Sequence, residues 1–173
     1  VTDLRSLLVL GAITGLIAGA VSLSSDVHVP GVDEPAAVAA ALIEPFQDYV
    51  EEEQLRHPPA HQVGDLALCL KAESSLDVEA VSRALAGTLV RVIPAGRCTS
   101  KTVKGDFGMF TAMTYWFDES GGEAASLEVE AVRCLTRSRC IVDINSFAAG
   151  RRYEVEAAGG VWTVTRSALR WIV

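Results

Sequence analysis

The chain has 173 residues, a net charge of −7 and 50% hydrophobic residues, with four cysteines and three histidines. That length and apolar content support one folded core, and exclude a disordered chain and a multi-span membrane protein. The acidic balance argues against nucleic acid as a partner, because phosphate binding calls for concentrated Lys and Arg.

Ser6 to Leu23 is an 18-residue run without a charge. Arg5 precedes it, whereas Asp26, Asp33 and Glu34 follow, and no Lys or Arg comes again before Arg56. This order of charges sends the following chain out of the cytoplasm. Ala18-Gly19-Ala20 offers the small-x-small pattern that signal peptidase reads, so residues 1–20 are expected to be a signal peptide. The alternative is an uncleaved anchor over 6–23, about 27 Å long as a helix. The expected location is periplasmic or extracellular, or membrane-anchored and facing out of the cytoplasm. Any membrane contact is expected only through that uncleaved helix.

Residues 21–33 read as a linker punctuated by Pro30 and Gly31, and 34–173 as one domain. Asp33 or Glu34 can cap a helix that starts near Pro35, with Val38, Leu42, Phe46, Tyr49 and Val50 as its buried stripe. Pro45 predicts a kink or two short helices, and His57-Pro58-Pro59 the stop. Residues 26–56 hold eight acids and one base, so this segment carries the chain's net charge. A solvated face explains the acids; Glu51–Glu53 lack the alternation of a calcium loop.

Asp65–Ala72 reads as a strand, Val78, Val81 and Leu85 as one face of a second helix stopped at Gly87, and Thr88–Ile93 as a strand. From residue 108 onward the pattern is strands: 108–117, 125–134, 139–147, 151–157, 161–166 and 168–172. A two-residue Gly159-Gly160 turn sets Ala157 opposite Trp162, Val155 opposite Val164 and Tyr153 opposite Arg166. The expectation is an α+β fold, with two helical segments packed on one face of a curved antiparallel sheet, preceded by the signal or anchor helix.

Four cysteines in an exported chain read as two structural disulfides. Five residues separate Cys134 from Cys140, a length that closes a hairpin loop, which leaves Cys69 to pair with Cys98. A metal site is not expected: His57 and His61 are separated by two prolines and an alanine, and no Cys-x2-Cys exists. No catalytic residue is singled out and no cofactor is implied. Asp118-Glu119-Ser120-Gly121-Gly122 is reminiscent of a serine-protease motif, but Glu119 replaces the required Asp, and a hairpin loop fits better. Arg133, Arg137, Arg139, Arg151 and Arg152 are not expected to share one anion patch, since a strand of about eight residues would hold the tips roughly 26 Å apart. The aromatics Phe107, Phe110, Tyr115, Trp116, Phe117, Trp162 and Trp171 read as core or sheet cover.

The end of the chain has a recognisable pattern. The Cys134–Cys140 pair, Arg152-Tyr153-Glu154-Val155, Gly160-Val161-Trp162-Thr163-Val164 and Leu169-Arg170-Trp171-Ile172 resemble a group of uncharacterised exported bacterial proteins. Val92–Cys98 resembles a proline-and-cysteine segment of the same group. The resemblance implies export and an α+β fold, and carries no activity. Element order is also similar to NTF2-like and cystatin-like folds, which serve enzymes, binders and inhibitors alike. The functional expectation is a binding or structural module of the cell envelope, with an unidentified protein or small molecule as partner. The alternatives are a small enzyme with a pocket between sheet and helices, and a membrane-tethered domain.

Overall fold

A computed structural model describes residues 29–56, 66–73, 75–107 and 110–173. The first helix, α1 (Glu34–Arg56), begins where Asp33 Oδ1 accepts the N–H of Ala36 at 3.1 Å, satisfying one orphan donor of its first turn. Ala37, Val38, Ala41 and Leu42 are buried on its inner face. Pro45 does not divide the helix into two short ones. It is exposed, while Leu42 before it and Phe46 after it both pack into the core. The side chains of Tyr49 and Val50 lie outside the described set, as do residues 1–28, with Ala18 and Ala20, and His57 and His61.

Strand β1 (Leu66–Ala72) follows, then α2 (Val78–Ala84) and β2 (Val90–Pro94). Asp77 caps α2 by accepting the N–H of Ala80 at 3.0 Å, and Gly87 ends the segment in left-handed backbone at φ 87°. The remaining strands are β3 (Thr99–Phe107), β4 (Phe110–Phe117), β5 (Glu123–Thr136), β6 (Arg139–Asn145), β7 (Ala149–Ala158) and β8 (Val161–Ile172).

The fold is α+β, with two helices and one strand-rich sheet. Its main path runs β2-β1-β5-β6-β7-β8, with the β3–β4 ribbon joined to the start of β5. The sheet is mixed rather than purely antiparallel: β1 is parallel to β2 and to β5. A helix between β1 and β2 makes that pair a β-α-β crossover, which requires parallel strands. Two further expectations are corrected. Strand β3 was not foreseen, because its Thr, Ser and Lys residues lack an apolar alternation. The segments 161–166 and 168–172 form one strand, β8.

The β7–β8 turn has Gly159 and Gly160 at φ 60° and 84°, as a two-residue primed turn requires. Ala157 faces Trp162 and Val155 faces Val164. Beyond them a bulge at Thr165 shifts the register, so Tyr153 lies opposite Ser167 and Arg166 opposite Glu154. The extra residue restores the alternation one step late. One hydrophobic cluster unites Val38, Leu42, Val81, Leu85, Leu68, Val129, Val142, Tyr153 and Val155. We call the sheet surface that carries this cluster its core face, and the other its outer face.

A second bulge, at Arg170, sets Trp171 opposite Gly150. A Cβ at Gly150 would lie 2.1 Å from Trp171 Nε1 and 2.7 Å from Asn145 Oδ1. The indole therefore occupies the space that a side chain would take. Gly150→Ala is expected to cost about 1–3 kcal/mol by overpacking. Denaturant unfolding checks the cost, and a shifted Trp171 indole N–H resonance checks its cause.

Candidate functional site

The next row of α1 beside its buried stripe is Ala40, Ile43 and Glu44, related by helical spacing of three and four residues. These side chains stand over β8. The two elements enclose a groove of about 450 Å³, walled by Ala40, Ile43 and Glu44 and floored by β8 from Trp162 to Ser167. Trp162 and Val164 are half-buried and join the core, whereas Thr163 and Thr165 turn their hydroxyls to the Glu156 and Glu154 carbonyls of β7. Among the described residues only β7 pairs with β8, so one edge of this 12-residue strand keeps its backbone donors and acceptors unpaired.

Tyr153 lies fully buried behind the groove. Burial, and next to it the negative charge of Glu44, pushes its phenol up to about 12. The phenol therefore stays neutral at physiological pH. An open groove with an apolar floor, one carboxylate and a free strand edge can hold an extended backbone and the side chains that alternate along it.

The groove lies against the edge strand, with Trp162 as the one aromatic residue in its lining. Tyr115 and Trp171 are 38% and 37% exposed, and Trp116 and Phe117 are half-buried, so these four are cover rather than core. Among the described residues the fully buried aromatic is Tyr153. Glu44 and the Thr163–Ser167 edge carried no sequence signal as a site, because nothing local tells an edge strand from a central one.

The other polar constellations pair among themselves, except that Asn145 Oδ1 is buried without a hydrogen-bond partner among the described residues. Asp118 Oδ1 accepts the Ser120 hydroxyl at 2.7 Å and the N–H groups of Ser120 and Gly122 at 2.9 Å, and Oδ2 accepts Arg91 Nη2 at 2.6 Å. The Ser120 hydroxyl bond and the Arg91 guanidinium, with these amides, hold the carboxyl well below the usual range. Glu119 is paired with Arg97. Residues 118–122 therefore form a braced β4–β5 loop, and Ser120 donates to a carboxylate rather than facing a base.

Arg133 and Arg152 meet at Asp143, whereas Arg139 at the hairpin tip stays apart from Arg152. Arg152 lies opposite Asp143, four residues along β6 from Arg139, or about 13 Å. Arg152 binds Asp143 with two hydrogen bonds of 2.7 and 2.8 Å, and Arg133 adds one of 3.2 Å. Arg170 approaches within 3.9 Å and is also paired with Glu130. Arg139 is held by Glu154 at 2.8 Å and Glu156 at 3.5 Å. This outer-face network matches acids to bases and leaves no anion seat at Arg139.

All four cysteines are paired, as Cys69–Cys98 and Cys134–Cys140. Among the described residues, no group of three or more His, Cys, Asp or Glu is placed to hold a metal ion. Among them too, no helix is long and apolar enough to cross a membrane. The two disulfides are compatible with an oxidising, extracytoplasmic location. Compared with protein families, with curated proteins and with solved structures, the chain matches none.

Proposed function

We propose that this is an exported, disulfide-stapled domain of the cell envelope that works by binding an extended polypeptide segment as an added strand on β8. In this reading residues 1–20 direct export and are removed, and both helices cover one face of the sheet. The observation that carries it is the coincidence of an unpaired strand edge with a half-enclosed groove along the same residues. Main-chain hydrogen bonds to β8 supply affinity that is indifferent to sequence. The space between Ile43 and Trp162 selects for an apolar side chain, and Glu44 favours a base nearby.

Selection from a random peptide library tests the reading. Enriched peptides are expected to alternate apolar and polar residues and to bind as strands. Ala40→Trp, which fills the groove from its helix wall, is expected to weaken them at least ten-fold. Peptides that bind both proteins equally, or no enrichment, would overturn the reading.

A further inference from the structure

We infer that the segment seated on β8 is the β8 strand of a second copy of this chain, paired antiparallel about a two-fold axis at Ser167. This rests on the strand-addition reading and names its occupant. Exposed apolar residues gather at both ends of β8: Val161 is 64% exposed at its start, and Ile172 and Val173 are 71% and 62% exposed at its end. Leu169 is also exposed. An edge strand of this length with such side chains is a liability unless something covers it.

Self-pairing covers it in one register. A two-fold axis through the sheet keeps each face continuous, so core-face residues must meet core-face residues. The pairing with β7 places Trp162, Val164, Ser167, Leu169 and Ile172 on the core face, and Val161, Thr163, Arg166, Ala168 and Trp171 on the outer face. Centred on Ser167, Arg166 meets Ala168 of the other copy. The bulged residues Thr165 and Arg170 then fall in adjacent intervals of the two strands and cancel by the Thr163–Trp171 pair. Beyond them Val164 meets Leu169, Thr163 meets Trp171, Trp162 meets Ile172 and Val161 meets Val173. Every pair is face-matched, and the exposed apolar ends cover each other.

Neighbouring registers do worse. Centring on Arg166 sets that residue against itself, a like-charge pair. Centring on Ala168 skips the bulged Arg170 and sets Arg166 against Trp171 and Val164 against Ile172, which leaves Val161 and Trp162 uncovered. Centring two residues away, on Thr165 or Leu169, also leaves one apolar end of the strand uncovered. The register centred on Ser167 avoids a like-charge pair and covers both ends.

Cross-linking and charge exchange on the full chain test the register. Ser167→Cys is expected to give a covalent dimer on mild oxidation, whereas Lys101→Cys on the distant ribbon stays monomeric. Ala168→Lys, which sets two bases together at each Arg166, is expected to weaken self-association at least ten-fold in sedimentation. Adding Arg166→Glu to it is expected to restore association, which general misfolding would not allow. A Ser167→Cys protein that stays monomeric, or a dimer untouched by Ala168→Lys, overturns the inference. If the chain is monomeric yet library peptides bind in an Ala40→Trp-sensitive way, the second copy falls and strand addition stands. If neither occupies β8, both fall.

Discussion

Replacing Cys69 and Cys98 together by alanine is expected to lower the unfolding free energy by about 3.5 kcal/mol, against about 2.5 kcal/mol for the Cys134–Cys140 pair. The order follows from loop length. The first bridge closes a separation of 29 residues and the second only six, so the first removes more freedom from the unfolded chain. The first bridge also ties β1 to the chain just beyond β2, two strands joined by a parallel crossover, whereas the second staples a hairpin that already pairs residue by residue. Urea unfolding of the two double variants measures both costs. An equal or reversed order would show that native-state distortion, not loop entropy, sets them. Before that, an intact mass without reductant is expected four hydrogens below that of the fully reduced form with four thiols, and to take up no alkylating agent.

Asp143→Ala is expected to cost about 3 kcal/mol, the low end of the range for breaking a buried ion pair. The carboxylate is only 3% exposed and sits among Arg133, Arg152 and Arg170. Without it three guanidinium groups face one another, with Glu130 and Glu154 left to offset them. The arginines remain partly solvated, which keeps the cost from rising further. Burial by itself would raise the Asp143 carboxyl, but the Arg152 hydrogen bonds and the three positive charges outweigh it and hold the group below its ordinary value. A carboxyl lowered in the folded state stabilises the fold above its unfolded value, about pH 3.9, and that contribution is lost as pH falls through the folded value. The wild type is therefore expected to lose stability below about pH 4 more steeply than Asp143→Asn, which has no such carboxyl to protonate. Parallel acid titrations of the two proteins would exclude this role for Asp143.

Much of the architecture was legible because it depends on local chemistry. Asp33 and Gly87 mark helix ends through backbone groups within a few residues. The Gly159-Gly160 turn sets the nearest pairs of the last hairpin through its own dihedral angles. The short spacing of Cys134 and Cys140 favours their pairing, which leaves the other two cysteines for each other. Pro45 does not end the helix because its missing hydrogen bond is a local loss, whereas Leu42 and Phe46 bury on both sides of it. Strand β3 was missed because Lys101, Val103 and Thr99 show no apolar period; its partner β4 supplies the order.

The candidate site was illegible for a related reason. Glu44 and Thr163–Ser167 lie more than a hundred residues apart, and only the sheet order makes β8 an edge beside α1. The bulges at Thr165 and Arg170 are likewise invisible in a strand pattern, yet they decide which residues could meet a second copy. Asp143 and its three arginines occupy four neighbouring strands. By itself the sequence determined the elements bounded by caps and glycine turns, the cysteine spacing and the charge balance, since each acts over a few residues. Only the tertiary structure decided the parallel placement of β1, the arginine network and the open edge of β8. Those features depend on which strands become neighbours, and that choice is made by burial of the whole core.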